Sequence, residues 1–350
     1  MVKTLYVKKI LSDEQMADME GEYFDQSKFH TIINDDTDVY TTDGKLLLKF
    51  RKNVIPKILT DLALKSYRSI AKVKHNNRGA SAGILDPNKL QNFAHKLYKA
   101  NMFYSPSKFR TRYLKNDGSH SKSSIGNLAP SNIAGYFDVK NSRENNDNAN
   151  TNTSKQSIVP CRLTTFTRKH SDLWEQSVPF LQICDQLFQE LVPDRHYLQW
   201  IKTQLTPDYA ISDTAFSTVT LNYSWRTALH KDAGDFEDGF GNLIVIEDHQ
   251  NPNSYQGCYT GFPQYGVACN VRTSDFLAMD VHEWHCNTEF IPLRGDSDHS
   301  DSKNTLNNWH FNRLSVVCYL RDKMIKCRTN PITDRDLKKI DRKYTELYQV

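Results

Sequence analysis

The stretch that decides the fold reads Phe276-Leu-Ala-Met-Asp-Val281, and a second apolar run, Leu314-Ser-Val-Val-Cys-Tyr-Leu320, follows it. Three further short runs rich in strand-forming residues precede them, at 216–223, 243–247 and 267–271. Turn residues such as Asp238-Gly239 separate the runs. Several short strands with turns between them are typical of a β-sandwich or jelly roll, whose open ends are natural ligand sites.

Upstream of these strands the sequence favours helices. Pro56 suits the first turn of a helix that reaches about residue 72, and apolar spacing over 171–191 indicates a second helix. We therefore expect an α+β protein with a double-stranded β-helix (jelly roll) core, packed helices and a helical N-terminal extension. Four parts are predicted: a mostly helical extension at 1–117, a flexible loop region rich in Asn and Ser at 118–157, the core at 158–330 and a C-terminal helix at 331–350.

Composition excludes several classes of protein. Among 350 residues, 45 Lys and Arg oppose 41 Asp and Glu, so the net charge of +4 excludes a polybasic coat and an acidic tail. An aromatic content of 11% is enough for a sizeable core, which excludes wholesale disorder. The odd number of cysteines, 7, without a CxxC pair predicts reduced thiols rather than a disulfide framework. No membrane span or secretion signal is recognisable, so we expect a soluble intracellular protein, nuclear in a eukaryote and otherwise cytoplasmic.

A candidate metal site is formed by His230 and Asp232, which lie two residues apart and so share one face of a strand. With a second histidine they make the two-histidine, one-carboxylate set typical of Fe(II) oxygenases. Two histidines follow the run at 276–281, and they cannot share one face because three positions separate them. We favour His285 as the third ligand and leave His282 as the alternative.

The last apolar run begins with a charged residue, and binding of a carboxylate would explain a positive charge at that position. Arg313 stands at that position, and Ser315 shares its face of the strand. Many 2-oxoglutarate oxygenases show the order His-x-Asp, then His, then Arg-x-Ser. Order and spacing therefore predict Fe(II) together with 2-oxoglutarate.

Longer runs around these residues resemble the TET/JBP oxygenases, especially the thymine-hydroxylating branch of the base-J-binding proteins. The resemblance covers roughly residues 130 to 328. The matching runs are Gly135-Tyr-Phe-Asp138, Pro160-Cys-Arg-Leu-Thr-Thr-Phe-Thr167, Ala215-Phe-Ser-Thr-Val-Thr-Leu-Asn222, Trp225-Arg-Thr-Ala-Leu-His-Lys-Asp-Ala-Gly-Asp235, Gly239-Phe-Gly-Asn-Leu243, Phe262-Pro-Gln-Tyr-Gly-Val-Ala268, Asp275-Phe-Leu-Ala-Met-Asp-Val-His-Glu-Trp-His-Cys-Asn287 and Arg313-Leu-Ser-Val-Val-Cys-Tyr-Leu320.

The resemblance implies that His230, Asp232 and His285 bind Fe(II) and are catalytic together with Arg313. It implies that Arg313 and Ser315 hold 2-oxoglutarate, that molecular oxygen is consumed and that ascorbate serves as reductant. The implied reaction is hydroxylation of the thymine methyl group in double-stranded DNA to 5-hydroxymethyluracil, on a flipped base. No membrane and no obligate protein partner is implied. Alternatives are 5-methylcytosine in DNA, an RNA base, a protein hydroxylase and a non-catalytic DNA-binding relative.

Other residues are candidates for contacts with substrate. Arg226 and Asp235 flank the ligand pair and could contact the base or 2-oxoglutarate, or form a salt bridge that shapes the strand end. Asn222 and Tyr319 are pocket candidates with strand packing as the alternative. Residues 87–116 carry seven cations interleaved with aromatics and no acid, which predicts a DNA contact or a solvated face. The DNA-binding candidates there are Lys108, Arg110, Arg112 and Lys115.

Overall fold

The computed structural model describes residues 1–86, 103–115, 117–138, 161–247, 255–293, 313–327 and 333–349. Within them it confirms the expected mixture of α-helices and antiparallel sheets. The helices are α1 Asp13–Asp18, α2 Lys57–Ala71, α3 Thr165–Lys169, α4 Ser171–Leu191, α5 Pro193–Gln204 and α6 Asp334–Tyr348. The strands are β1 Lys3–Val7, β2 Thr31–Ile33, β3 Thr37–Thr41, β4 Leu46–Arg51, β5 Phe103–Ser107, β6 Arg110–Tyr113, β7 Ser131–Asp138, β8 Cys161–Leu163, β9 Thr218–Tyr223, β10 Gly241–Glu247, β11 Tyr255–Gly257, β12 Thr260–Phe262, β13 Val267–Cys269, β14 Phe276–Met279, β15 Cys286–Asn287, β16 Phe290–Pro292 and β17 Arg313–Tyr319.

The largest sheet has nine strands in the order β1-β3-β4-β14-β10-β17-β9-β7-β8. At its centre β10 pairs antiparallel with β14 on one side and with β17 on the other. Alternate side chains of β10 are buried on opposite faces: Ile244 and Ile246 pack towards the helices, whereas Leu243 and Val245 pack against Phe262. Burial on both faces explains why the central strands read as continuous apolar runs.

A smaller sheet, in the order β15-β12-β13-β2, faces the second side of the large sheet. A short pair, β11 with β16, and the hairpin β5–β6 complete the strands of the described residues. On the other side α2 and α4 pack together over the large sheet, with Tyr67 and Phe180 fully buried between them. Helix α4 continues across Pro179, so the kink that this residue can introduce does not split it.

The N-terminal extension differs from the expected mostly helical one. Residues 1–86 contribute four strands, and β4 is an inner strand of the large sheet, where Leu48 pairs with Met279. Leu47, Leu48 and Phe50 are fully buried. The reason is tertiary pairing, because these short runs become stable strands only beside distant partners. The predicted boundary at residue 158 also moves, since β7 joins the large sheet next to β9.

Two of the cysteines lie close together. The sulfur atoms of Cys161 and Cys327 adjoin each other, and their Cα atoms are 5.9 Å apart. The other five are free and buried. The Asn-rich stretch 141–156, residues 87–102 of the basic segment and residues 294–312 lie outside the described residues. Within the described ranges, no helix has both the length and the apolarity needed to cross a membrane.

Candidate metal centre and its cavity

Backbone pairing brings the three predicted metal ligands together. His230 and His285 form an antiparallel bridge in which each backbone N–H donates to the other residue's carbonyl at 3.0 Å. The backbone N–H of Asp232 donates to the carbonyl of Val281 at 3.0 Å. This second backbone contact holds the segment of Asp232 beside the segment that leads to His285. The ligand atoms of the three side chains all lie within 4.8 Å of one another. Throughout the described ranges, no other trio of His, Cys or carboxylate side chains is this close.

The two imidazoles are oriented for metal binding through Nε2. Nδ1 of His230 lies 2.8 Å from the carbonyl of Ala228, and Nδ1 of His285 lies 2.9 Å from the carbonyl of Glu283. A carbonyl can only accept, so Nδ1 carries the proton and Nε2 presents its lone pair. The Nε2 atoms lie 3.5 Å and 3.7 Å from the two carboxylate oxygens of Asp232.

Burial also keeps His230 in the neutral form that a metal ligand requires. Desolvation lowers the pKa of His230 to about 4, and neighbouring His285 acts in the same direction. The carboxylate of Asp232 opposes this shift. The arrangement therefore offers a neutral nitrogen of His230 at neutral pH.

The alternative ligand, His282, has other partners. Its Nε2 lies 3.2 Å from the carbonyl of Phe236, and its backbone N–H donates to a carboxylate oxygen of Asp280 at 3.0 Å. His282 does not belong to the clustered trio. The structure thus groups His285, and not His282, with the His-x-Asp pair.

A lysine that sequence reasoning missed stabilises the loop carrying His285. Lys45, in the turn between β3 and β4, lies 2.7 Å from carboxylate oxygens of both Asp280 and Glu283. The phenol of Tyr265 also donates to Glu283 at 3.1 Å. Both carboxylates flank a strand, and Asp280 is only 5% exposed. Nothing local in the sequence points to Lys45, because the pairing joins residues 238 positions apart.

Arg313, the predicted carboxylate binder, is 1% exposed at the start of β17. Its Nη2 reaches the carbonyl of Cys258 at a long 3.5 Å. Burial lowers the pKa of Arg313, but the neighbouring Cys258, Tyr255 and Glu247 outweigh this effect and raise that pKa above its usual value. None of the described residues accepts a hydrogen bond from its buried Nε. A buried guanidinium with an unused donor is suited to an anionic ligand. Ser315 lies two residues along the same face and is also buried.

The metal-ligand trio and Arg313 line one cavity of about 360 Å³, a size typical of small-molecule sites. The predicted pocket candidates Asn222, Asp235 and Tyr319 line it as well. Burial removes water from around the carboxyl group of Asp235, and the negative charge of Asp232 acts on the same group. Both effects raise the pKa of Asp235 well above its usual value. Sequence reasoning missed two further lining residues, Arg78 and Arg321. Arg321 is paired with Asp138 at 2.9 Å.

Arg226 is not among the residues that line this cavity, and it forms a salt bridge, which was the alternative for this residue. Its Nη2 pairs with a carboxylate oxygen of Asp25 at 2.8 Å, and its Nε donates to the carbonyl of Asn287 at 3.1 Å. The guanidinium also lies over the ring of Tyr23, 5.1 Å from the centroid. The side chain of Arg226 extends from the end of its strand to the N-terminal residues Tyr23 and Asp25, and its contacts connect them to the core.

The basic hairpin β5–β6 contacts the N-terminal residues through the backbone. The backbone N–H of Leu85 donates to the carbonyl of Lys108 at 2.8 Å, which joins the hairpin to the segment that includes Arg78. Lys108 donates to the carbonyl of Asp18, and Arg110 donates to Ser124 at 3.3 Å. Arg112 and Lys115 are exposed.

Comparisons with known proteins agree with this site. Residues 149–322 match the family model Tet_JBP, the oxygenase domain of the 2OGFeDO superfamily. The bifunctional helicase and thymine dioxygenase JBP2 of Leishmania tarentolae is 35% identical over 161 residues, which are 46% of this chain and 13% of that protein. The thymine dioxygenase JBP1-B of Trypanosoma cruzi (strain CL Brener) is 30% identical over 253 residues, which are 72% of this chain and 25% of that protein.

The chain thus spans a quarter or less of the length of these curated relatives. A solved structure, NgTET1 in complex with 5mC DNA, superimposes with a TM-score of 0.48 at 14% identity and covers 92% of this chain and 88% of that one. The family match defines a 2-oxoglutarate/Fe(II) dioxygenase domain. The chain belongs to the TET/JBP family of these enzymes, and this membership implies Fe(II) and 2-oxoglutarate as cofactors.

Proposed function

We propose that this chain hydroxylates the methyl group of thymine in DNA, giving 5-hydroxymethyluracil. The observation that carries the proposal is the meeting of two features in one cavity: the trio His230, Asp232 and His285, and the buried guanidinium of Arg313. The relatives named above are thymine dioxygenases by name, which favours thymine as the substrate base.

The donor set suits Fe(II). Two imidazole nitrogens and one carboxylate would hold Fe(II) and leave positions open for co-substrates. His230 and His285 would each bind through Nε2, because Nδ1 is held by a backbone carbonyl. Asp232 would supply the negative charge. Lys45 keeps the loop of His285 in place through Asp280 and Glu283.

The other end of the cavity suits 2-oxoglutarate. Arg313 would bind the carboxylate farther from the metal, using the Nε donor that no described residue satisfies, and Ser315 would add a hydroxyl to the same carboxylate. Tyr255 and the carbonyl of Cys258 keep the guanidinium in place. Burial of Arg313 strengthens this attraction because little water screens it.

When bound, Fe(II) together with 2-oxoglutarate supplies the oxidation of a strong C–H bond by O₂. The atoms balance as follows: one oxygen atom of O₂ enters the methyl group, the other enters succinate, and the carboxylate next to the keto group leaves as CO₂. The electrons come from 2-oxoglutarate and the methyl group, with ascorbate keeping iron reduced between turnovers. The protein binds, orients and excludes water around the reacting methyl.

We also propose that the two facing sheets form the double-stranded β-helix of these oxygenases. Leu243 and Val245 of the large sheet and Phe262 of the smaller sheet share one apolar cluster, which supports a closed sandwich with the site at its open end. The N-terminal strands β2 and β4 complete these sheets. The catalytic unit therefore begins before the residues that the family model matches.

Duplex DNA is the proposed partner, and a thymine must leave the helix to reach the metal. The hairpin β5–β6 would contribute phosphate contacts through Lys108, Arg110, Arg112 and Lys115. Its backbone hydrogen bond to Leu85, in the segment that includes Arg78, supports this. A nuclear location is expected for such an enzyme in a eukaryotic cell.

The proposal is tested by incubating the chain with Fe(II), ascorbate and CpG-methylated duplex DNA, with and without 2-oxoglutarate, and digesting the DNA to nucleosides for mass spectrometry. We expect 5-hydroxymethyldeoxyuridine that depends on 2-oxoglutarate. If 5-hydroxymethyldeoxycytidine appears instead, the enzyme acts on 5-methylcytosine and the thymine assignment is wrong. If neither appears while 2-oxoglutarate is still consumed, DNA bases are not the substrate.

A further inference from the structure

One charged side chain in the cavity has no part in the metal or co-substrate sites described above. Arg78 precedes a short 3-10 turn, Gly79–Ala82, and lines the cavity together with Asn77, Ala80 and Ser81. Its Nη2 donates to the carbonyl of Asn132 at 3.3 Å. Its Nε is buried, and no described residue accepts a hydrogen bond from it.

The backbone around Arg78 is held firmly, so the side chain is positioned rather than loosely attached. The carbonyl of Arg78 accepts from Ser81 at 2.9 Å, and the carbonyl of Ser81 accepts from the backbone N–H of Ala228 at 3.0 Å. Asn132, which meets Nη2, is itself fixed through donation to the carbonyl of Val73 at 2.7 Å. Ala228 also holds the ring of His230, so one short stretch connects Arg78 to a metal ligand.

The two guanidinium groups with unused donors reach the cavity from different elements. Arg313, Ser315, Val317 and Tyr319 alternate along one face of β17 and all line the cavity. Arg78 donates to the carbonyl of Asn132 on β7, and Asn132 pairs with Leu221 of β9, which pairs with Val316 of β17. The contact of Arg78 therefore lies two strands, about 10 Å, across the sheet from the strand that carries Arg313. Arg78 thus offers the cavity a second donor, apart from the one that would hold the far carboxylate of 2-oxoglutarate.

We propose that Arg78 reads the substrate base, donating hydrogen bonds to the O4 carbonyl of thymine. This inference rests on the proposed function, since it concerns the base that the metal centre oxidises. Arginine has donors and no acceptor. The methyl carbon must lie at the metal, and O4 is the polar atom on the adjacent ring carbon. A donor that lines the same cavity as the metal ligands therefore meets O4 rather than O2, which lies across the ring.

The same contact excludes 5-methylcytosine. Cytosine carries an amino group, a donor, where thymine carries O4. The amino group of 5-methylcytosine and the guanidinium of Arg78 would then face each other as two donors. The buried Nε of Arg78 would stay without an acceptor, which costs binding free energy. A phosphate is the other acceptor that DNA offers, but phosphate contact would not distinguish the two bases. Discrimination between them is therefore the property that Arg78 adds.

The test compares the wild-type chain with Arg78→Gln, Arg78→Lys and the matched control Arg342→Gln. Arg342 lies on α6, is 82% exposed and pairs with Glu346. Each protein is loaded with Mn(II) and 2-oxoglutarate without oxygen. Binding is measured to duplexes that differ at one mismatched position, which carries thymine, 5-methylcytosine or no base. A mismatched base flips at low cost.

We expect the wild type and Arg342→Gln to bind the thymine duplex at least about fivefold more tightly than the 5-methylcytosine duplex. Arg78→Gln should lose this preference because its amide can donate or accept. Arg78→Lys, which keeps the charge without the planar fork, should reduce it. Equal weakening of all three duplexes in the Arg78 variants would show a phosphate contact and overturn the assignment, as would an unchanged preference.

The two proposals fail in different ways. A wild-type chain that forms no 5-hydroxymethyldeoxyuridine contradicts the proposed reaction. The Arg78 assignment depends only on the binding comparison, which needs no turnover. Binding of Mn(II) and 2-oxoglutarate by each variant, measured without DNA, should match the wild type. Weaker 2-oxoglutarate binding in both Arg78 variants would place this guanidinium on the co-substrate and overturn the inference.

Discussion

The ammonium group of Lys45 lies 2.7 Å from a carboxylate oxygen of Glu283, whose backbone carbonyl accepts a hydrogen bond from Nδ1 of the proposed ligand His285. The N-terminal β3–β4 turn thus positions an imidazole of the metal centre. Asp280 adds a second contact to the same ammonium group, and it also holds the backbone of His282. The metal loop therefore depends on residues that lie well outside the family match.

Replacing Lys45 with Met should weaken metal binding without removing a ligand. The variant leaves Asp280 and Glu283 without their cation, so the loop of His285 becomes less ordered. Loss of such supporting contacts typically costs about tenfold or more in metal affinity. Titration with Co(II) followed by absorption measures the effect. Lys3→Met is the matched control, because Lys3 pairs with Asp35 on the exposed surface; equal affinities in the two variants would refute the role of Lys45.

Replacing Arg313 with Lys should raise the KM for 2-oxoglutarate. A lysine keeps the charge but loses the fork that binds a carboxylate through two hydrogen bonds. Charge-assisted bonds contribute about 1.5–3 kcal/mol, so a rise of about tenfold or more is expected. Metal affinity should not change. Succinate formation at varied 2-oxoglutarate measures this, and an unchanged KM would place the co-substrate elsewhere.

The metal-free chain should lose stability as the pH falls from about 6.5. The folded pKa of His230 is about 4 and lies below the ordinary value of 6.5, so between these values the unfolded chain binds the proton and the folded chain does not. The free energy of unfolding therefore decreases with falling pH, by up to about 2 kcal/mol between pH 6.5 and 5 from this group.

Urea unfolding in EDTA at pH 6.5 and pH 5 measures this change. His230→Asn has no group that titrates in this range at that position, so its loss between the two pH values should be smaller by that amount. Equal losses in the variant and the wild type would show that His230 is not held neutral by burial.

Removing the exposed charges of the hairpin should lower DNA affinity and its dependence on salt. Arg112→Gln and Lys115→Gln should each reduce the slope of log K against log salt by about 1 if each residue neutralises one phosphate. Thymine preference should not change, because phosphate contacts carry no base information. Fluorescence anisotropy over a salt series measures both. The control is Arg342→Gln, and a slope equal to that of the control would remove the hairpin from the interface.

Much of the site could be predicted from the sequence because its signals are local. His230 and Asp232 share a face through the two-residue period of a strand, and Arg313 with Ser315 follows the same rule. The third histidine required a choice between His282 and His285, which strand parity alone did not decide. The structure groups His285 with the pair through a backbone bridge to His230.

The rest could not be predicted because it depends on contacts between distant parts of the chain. Strand β4 reads as a short apolar run and becomes an inner strand only beside β14. Lys45 and Arg78 belong to no motif, and each acquires its role from partners that the fold brings to it. Short strands and isolated charges carry little local information, so the N-terminal residues were predicted as a helical extension.

The central claim is that His230, Asp232 and His285 hold the metal with which this chain oxidises thymine. It is tested most directly by incubating wild type, His285→Ala and His282→Ala with Fe(II), 2-oxoglutarate, duplex DNA and oxygen-18 gas, followed by mass spectrometry of nucleosides and succinate. We expect the wild type and His282→Ala to form 5-hydroxymethyldeoxyuridine and labelled succinate in equal amounts, and His285→Ala to form neither. Product formation by His285→Ala, or loss of product in His282→Ala with His285 intact, would contradict the claim.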